Sequence, residues 1–303
     1  MPNEQLLKNL SVPNGAVDVV IDTDAAAEID DQYAITYLLR SKDKLNTKAI
    51  YAAPVSDFRI KTPKIGMEKS IKEIHKILSI LKEDIPVFSG ACKYLTDEKT
   101  PVISDAAKDL ASRAAAYSPE KPLYVIGIAA ITNIASAILL NPSITENIVV
   151  VWLGGHSYEY KDTDEFNMRQ DIAAARVVMS CGAPFVHLPC CGVVSAFSLS
   201  KSEIHDWLGG KNEICGYLSE ITVTAAEKYA SVKPWTRVIW DVIPVAWLLN
   251  NNDRFMLSRV VNTRLPGYDA VYEPPCDALK SRYIYYINRD AVMDDLIKKL
   301  TSN

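Results

Sequence analysis

An acidic stretch stands directly after an apolar run near the start of the chain. The sequence "DTDAAAEIDD", residues 22–31, places four aspartates and one glutamate within ten residues. Carboxylates that converge on one point repel one another and raise each other's pKa unless a cation lies among them. Oxygen ligands without His or Cys are typical of sites for a hard ion, Ca²⁺ or Mg²⁺. The stretch therefore predicts a metal site built from carboxylates.

The spacing within the acidic stretch divides it between a strand and a helix. Alternation in an extended segment places Asp22 and Asp24 on the same side, while Asp30 and Asp31 open the helix that follows. Taken alone, Asp30 and Asp31 are explained as a pair favoured by the dipole at a helix N-terminus. That reading leaves Asp22 and Asp24 without a reason, so the metal site stays the stronger interpretation.

Short apolar runs alternate with amphipathic stretches along the chain, which is the pattern of a parallel sheet covered on both faces. We predict strands at residues 16–22, 48–53, 86–90, 123–129, 147–155, 184–190 and 282–288. We predict helices at residues 31–41, 66–82, 104–116, 132–140, 171–181, 201–208, 213–229, 239–250 and 290–301. No repeat or linker divides the chain, so we expect a single domain over residues 1–303, an α/β fold with an open, mainly parallel sheet and a Rossmann-like core.

The order of the predicted strands and helices also indicates where a ligand is expected to bind. In open α/β sheets, ligands bind outside the carboxyl ends of the strands, and the acidic stretch follows the first strand there. One helix has recognisable ends: Asp171 can cap it, and Gly182 can take the left-handed position after it.

The composition argues against nucleic acid and membrane partners. The 303 residues carry a net charge of −4, and Lys and Arg form no basic tract with interleaved aromatics. Residues 1–15 lack the apolar core of a secretory signal, and no run of about 18 apolar residues occurs. We therefore expect a soluble, cytoplasmic protein. The six cysteines show no C-x-x-C spacing, so we expect free thiols rather than a zinc site or a disulfide framework.

Five segments, taken in order, resemble the inosine-uridine nucleoside hydrolase family. They cover about residues 16–250, and the last predicted strand and helix match more loosely. The segments are "VIDTDAAAEIDDQYAITYLL", "PLYVIGIAAITNIASAILLNPSI", "IVVVWLGG", "EFNMRQDIAAARVVMSCGAPF" and "IWDVIPVAWLL". The resemblance implies a nucleoside hydrolase-like fold.

The resemblance also implies Ca²⁺-dependent hydrolysis of the N-glycosidic bond of a ribonucleoside by a homo-oligomer, a dimer or tetramer. Position by position, it assigns to Ca²⁺ the carboxylates of Asp24, Asp31 and Asp241 and a backbone carbonyl near Ile128. Asp24 would also take the proton of the attacking water. A site dense in carboxylates stabilises the positive charge that builds on the ribose ring during cleavage.

The resemblance further assigns the residues around the sugar. Asp30 would bind ribose hydroxyls, and Glu165 and Asn167 of "EFN" would hold the rest of the ring. Without the resemblance, Glu165 and Asn167 are better explained as a polar turn before the helix capped at Asp171.

Trp240 stands where family members that act on many bases carry a His that can protonate the leaving base. The purine-preferring members look similar to this chain in having Trp there, because an indole can stack on a departing purine. We therefore expect a purine preference, with packing beside Trp247 as the alternative role of Trp240. His187 lies in a predicted strand and is expected to be structural, whereas His156 follows a strand end and is placed to reach the site.

Two departures from the family pattern concern the ribose. The family's usual loop after Asp24 carries Pro-Gly, whereas here residues 25–28 (Ala-Ala-Ala-Glu) intervene before Ile29 and make the loop two residues longer. Pro54 stands where the family has an Asn that helps to bind ribose. Ser56, Asp57 and Arg59 are the candidates to replace that Asn.

Two other functions remain open at this point. "VVIDTD" is also similar to the Asp-x-Asp of haloacid-dehalogenase-like phosphatases, which use Mg²⁺ and an aspartyl-phosphate, but no later acidic motif of that family follows. The second is a catalytically inactive nucleoside-binding protein on the same fold, against which the retained aspartates argue.

Overall fold

A central sheet of eight strands organises the protein. The computed structural model describes residues 1–302. The strands are β1 (Val17–Thr23), β2 (Leu45–Ala52), β3 (Val87–Ser89), β4 (Leu123–Gly127), β5 (Ile148–Leu153), β6 (Phe185–Leu188), β7 (Ser198–Ser200), β8 (Thr236–Val238), β9 (Met256–Thr263) and β10 (Cys276–Ile287). The order in the sheet is β3-β2-β1-β4-β5-β6-β10-β9, and β7 pairs with β8 separately. All pairs in the large sheet are parallel except β10 with β9, which confirms the predicted mainly parallel α/β fold.

Helices cover both faces of this sheet. They are α1 (Asn3–Asn9), α2 (Asp31–Leu39), α3 (Pro63–Leu81), α4 (Asp105–Arg113), α5 (Thr132–Leu140), α6 (Phe166–Gln170), α7 (Ile172–Ser180), α8 (Lys201–Leu208), α9 (Glu213–Tyr229), α10 (Val242–Leu248) and α11 (Arg289–Thr301). Side chains of β1 alternate between two cores: Val19 and Ile21 pack with α2, α3 and α8–α11, and Val20 packs with α4, α5 and α7. Because both faces are buried, the strands read as continuous apolar runs.

Side-chain caps fix several helix ends where the sequence predicts them. The carboxylate of Asp171 accepts a hydrogen bond from the Ala174 amide at 2.9 Å, and Gly182 follows α7 with a φ of 84°. The predictions for Asp171 and Gly182 are confirmed. Ser200 and Glu203, which the sequence analysis did not single out, form a reciprocal capping box at the start of α8.

Other boundaries differ from the sequence-based prediction. The helix predicted from residue 66 begins at Pro63, because Thr62 caps it, and the helix predicted from residue 239 begins at Val242. The strand predicted at residues 282–288 is the second half of β10. The prediction missed the elements α1, α6, β7, β8 and β9, most of which are too short to show a periodic pattern.

The sheet brings the ends of its central strands together. β1 lies between β2 and β4, and the Ile128 amide donates to the Asp22 carbonyl at 2.9 Å. The loops after β1, β4 and β5 therefore open on the same side. Within residues 1–302, none of the helices is long and apolar enough to cross a membrane.

Candidate active site

A pocket of about 360 Å³ lies at the carboxyl ends of these central strands. The residues that sequence reasoning assigned to catalysis, substrate or metal all line it. They are Asp24, Asp30, Asp31, Ile128, Glu165, Asn167, Trp240 and Asp241. The chain therefore brings together side chains from the loop after β1, the region after β5 and the start of α10.

The floor of the pocket is a buried cluster of carboxylates. Oxygens of Asp30, Asp31 and Asp241 lie within 4.8 Å of one another. The Oδ2 atoms of Asp24 and Asp31 and the Oδ1 atom of Asp30 are buried and have no hydrogen-bond partner among residues 1–302. Buried polar atoms are rarely left unpaired, and oxygen-only donors suit a hard divalent cation. The residues present fit such a cation, and the close group contains Asp30, which the resemblance assigned to the ribose, and does not contain Asp24.

Hydrogen bonds orient Asp30 and Asp31 by occupying one carboxylate oxygen of each. Oδ1 of Asp31 accepts hydrogen bonds from the Asp24 amide at 3.1 Å and from the Thr23 hydroxyl at 2.5 Å. Oδ2 of Asp30 accepts from the Trp240 amide at 2.9 Å. The second oxygen of each group is the unpaired one, so the same contacts that hold the side chains leave one oxygen of each available for a ligand.

Burial raises the pKa of every carboxyl group in the cluster. It raises the pKa of Asp31 to about 6, and burial together with the Asp31 charge raises that of Asp30 to about 7. The pKa values of Asp24 and Asp241 are also raised, first by burial and then by the neighbouring carboxylates. A cation among these groups would oppose both effects because it favours the ionised form.

Because burial raises the pKa of these carboxyl groups, the stability of the metal-free protein is expected to depend on pH. Carboxyl groups whose pKa is raised on folding contribute stability that is fully present below their ordinary pKa of 3.8 and is lost as pH rises through about 6 and 7. Relative to Asp31→Asn, which cannot titrate there, the chelator-treated protein should lose thermal stability between pH 5 and pH 8. Added Ca²⁺ should raise the unfolding temperature most at pH 8. Scanning fluorimetry measures both, and a pH dependence identical in the two proteins would contradict this expectation.

Glu165 and Asn167 form the wall of the pocket next to β5. Oε2 of Glu165 accepts from the amides of Gly155 at 2.8 Å and Met168 at 3.0 Å, so this side chain caps α6. The side-chain amide of Asn167 donates to the Leu153 carbonyl at 3.1 Å. The polar-turn interpretation is thus correct for the contacts of Glu165, and both residues still line the pocket.

The three candidates to replace the expected ribose-binding Asn lie in the loop after Pro54. The Ser56 amide donates to Gln170 at 2.9 Å, and the Asp57 carboxylate accepts from Arg59 at 2.7 Å. None of Ser56, Asp57 and Arg59 is among the residues that line the pocket. The polar atoms of all three are engaged within this loop and with its neighbours, and their role at the sugar stays a prediction.

The two histidines behave as the sequence indicates. His156 lines the pocket, and its Nδ1 accepts from the Cys191 amide at 3.3 Å. His187 is buried in β6, where its Nε2 lies 2.8 Å from the Gly154 carbonyl. Burial lowers the pKa of His187 to about 4, so this residue is neutral and structural.

Sequence reasoning missed an ion pair at the mouth of the pocket. Arg237 of β8 donates through Nη2 to the Glu28 carboxylate, and both side chains line the pocket. Nη2 of Arg59 lies 3.5 Å from the other Glu28 oxygen. Glu28 and Arg237 are 209 residues apart in the chain, so no local pattern could reveal the contact. The pocket also includes Arg169, which sequence reasoning did not single out.

Both the sequence and the fold of this chain are similar to those of known proteins. Residues 19–271 match the family model described as inosine-uridine preferring nucleoside hydrolase. A plant nucleoside hydrolase, PpNRh1, has a solved structure that is 19% identical, with a TM-score of 0.73 over 95% of this chain and 99% of its own. The purine-preferring ribonucleoside hydrolase from Gardnerella vaginalis is 17% identical, with a TM-score of 0.76 over 94% and 98% of the two chains.

The structure of an effector protein shares the same fold. The type III effector protein XopQ, solved in complex with adenosine diphosphate ribose, is 14% identical, with a TM-score of 0.71 over 99% of each chain. No curated protein sequence matches the chain. At these identities the solved structures show a common fold, and the family model covers most of the sequence.

Proposed function

The chain belongs to the inosine-uridine preferring nucleoside hydrolase family and is a hydrolase of N-glycosyl compounds; from that premise we propose a Ca²⁺-dependent enzyme that prefers purine ribonucleosides. The observation that carries the proposal is the group of buried carboxylates with unpaired oxygens at the floor of the pocket. Family membership also sets aside the phosphatase alternative, which rested on the Asp-x-Asp of β1 alone.

The metal ligands in this proposal are the carboxylates of Asp24, Asp31 and Asp241 and the carbonyl of Ile128. Asp30, whose unpaired Oδ1 lies in the same cluster, is close enough to share the site. Ca²⁺ suits these ligands better than Mg²⁺, because its coordination accepts more oxygens in less regular geometry. When bound, the cation lowers the pKa of water and binds the ribose hydroxyls.

The chain's own residues supply the remaining chemistry. Asp24, which lines the same pocket and has an unpaired Oδ2, accepts the proton of the attacking water. Asp30 accepts hydrogen bonds from the ribose hydroxyls, and Asn167 and Glu165, which line the same pocket, contact the rest of the sugar. As the bond to the base breaks, the ribose ring gains positive charge, which the surrounding carboxylates stabilise more than they stabilise the neutral substrate.

Trp240 supports the purine preference. Its side chain lines the pocket directly beside Asp241, and its amide is fixed by Asp30. An indole held there can stack on a purine and favour its protonated form as it leaves. The larger face of a purine gains more from such stacking than a pyrimidine does.

The charge of the pocket favours neutral substrates over phosphorylated ones. The lining includes the acidic side chains Asp24, Glu28, Asp30, Asp31, Asp164, Glu165 and Asp241. The positively charged residues of the lining are two arginines, Arg169 and Arg237. Even with one divalent cation bound, a substrate that carries a diphosphate, such as the ligand of XopQ, would meet net negative charge.

A nucleoside panel tests the proposal. The Ca²⁺-loaded protein should release free ribose from inosine and guanosine faster than from uridine. The 2′-deoxynucleosides should be poor substrates, because they lack a hydroxyl that the cation and Asp30 would hold. A reducing-sugar assay with a parallel assay for free phosphate measures both outcomes. Release of phosphate from esters, or binding of nucleosides without turnover, would refute the proposed hydrolysis.

A further inference from the structure

Three contacts join the acidic loop to the segment that ends β8 and begins α10. Asp31 approaches Asp241 within the carboxylate cluster. Asp30 accepts from the Trp240 amide. Farther along both segments, Glu28 accepts from Arg237.

Solvent exposure rises in the same order. Asp31 and Asp241 are 1% and 5% exposed, whereas the side chains of Arg237 and Glu28 are 29% and 41% exposed. A ribonucleoside whose sugar lies on the carboxylates and whose base lies along Trp240 would therefore present the far edge of its base to Arg237 and Glu28.

The guanidinium of Arg237 has donors left for a ligand. Arginine carries five N–H donors in a fixed fork, and Glu28 engages Nη2. Nε of Arg237 is buried and has no partner within residues 1–302. An unpaired buried donor is costly, so an acceptor on a bound ligand would stabilise this arrangement.

Glu28 holds Arg237 in place. Its carboxylate lies between two guanidinium groups, since Arg59 approaches its other oxygen at 3.5 Å. Arg59 is itself fixed by Asp57 at 2.6 Å and by the Ala27 carbonyl at 2.5 Å. The longer acidic loop thus contains Glu28, whose carboxylate lies close to Arg59 and orients Arg237.

We propose that Arg237 is the residue that selects 6-oxopurine nucleosides, inosine and guanosine, and that Glu28 is its positioning residue. The edge of a 6-oxopurine places two acceptors, O6 and N7, side by side, which is the pattern that a guanidinium fork binds with two hydrogen bonds. Adenine places an amino donor beside N7, and that donor would face the donors of Arg237. This inference rests on the proposed function and adds to it the class of base and the residue that distinguishes it.

The experiment compares inosine with purine riboside, which keeps N7 but lacks O6. The wild-type protein should favour inosine over purine riboside by about 10- to 100-fold in kcat/KM, as expected for one good two-bond contact to a base. In Arg237→Gln this ratio should fall to within about threefold, because both substrates lose the contact to N7 and only inosine also loses the contact to O6. Arg237→Lys keeps the charge without the fork and should give an intermediate ratio. Glu28→Gln should lower the ratio chiefly through KM, because it loosens Arg237 rather than removing it.

Arg254→Gln is the matched control, since Arg254 pairs with Asp295 outside the pocket, and it should leave the ratio unchanged. The inference is overturned if Arg237→Gln lowers kcat/KM equally on both substrates, or if wild type does not distinguish them. Should Arg237→Gln fail to fold by thermal unfolding, an unaltered ratio in Arg237→Lys would overturn it instead. A wild-type protein that hydrolyses no nucleoside refutes the proposed function, and the inference with it, which is a different result from equal losses on both substrates.

Discussion

Replacing Asp31 by alanine is expected to abolish both metal retention and turnover. The change removes one carboxylate from a buried cluster and frees the Thr23 hydroxyl and Asp24 amide that donate to it. A bound cation contributes several kcal/mol of charge stabilisation in a transition state, and about 4 kcal/mol corresponds to a roughly thousandfold loss in kcat/KM. Metal content after dialysis, by atomic absorption, and ribose release from inosine measure the two effects.

Asp294→Ala is the matched control for this experiment. Asp294 is exposed on α11 and pairs with Lys298 at 2.6 Å, away from the pocket, so both metal content and activity should match the wild type. Full activity of Asp31→Ala would be incompatible with the mechanism, as would full activity of the wild type after exhaustive chelation.

Replacing Trp240 by alanine is expected to lower kcat on inosine or guanosine about 10- to 100-fold, as stacking and cation–π contacts of about 1–3 kcal/mol predict. The rate should fall by more than binding weakens, because stacking strengthens as the base gains charge and departs. Steady-state kinetics on inosine separate the two effects. Trp240→Phe keeps an aromatic face and should recover part of the rate.

The control for Trp240 is an aromatic side chain outside the pocket. Tyr286 on β10 is 52% exposed, and Tyr286→Ala should leave the kinetics unaltered. An unchanged kcat in Trp240→Ala, or a measured preference for uridine, would discard the stacking role while leaving the carboxylate cluster intact.

The fold could be predicted to the extent that its elements carry local signals. The helices at 201–208 and 213–229 match α8 and α9 in both bounds, because Ser200 and Asn212 cap them in recognisable positions. β9 escaped prediction because it is an edge strand whose exposed and buried residues follow no strict alternation. Its pairing with β10 depends on contacts that a local pattern does not encode.

The residues of the candidate site also differ in whether a local sequence signal marks them. Asp24, Asp30 and Asp31 stand together in the sequence, and their spacing after a strand indicates a cation without further information. Trp240 and Asp241 were found through a resemblance, since nothing near them in the sequence marks a pocket. The Arg237–Glu28 pair was not found, because neither residue belongs to a motif and their contact exists only in the folded chain.

The hydrogen bond from the Trp240 amide to Asp30 joins two segments that a ribosome makes far apart in time. Trp240 follows Asp30 by 210 residues (240 − 30), which takes about 10–40 s at a synthesis rate of roughly 5–20 residues per second. During that interval the acidic loop has emerged without the backbone donor that orients Asp30 and without Asp241. A nascent chain therefore carries most of the carboxylates but no pocket, and hydrolysis can begin only when translation of the polypeptide has passed Asp241.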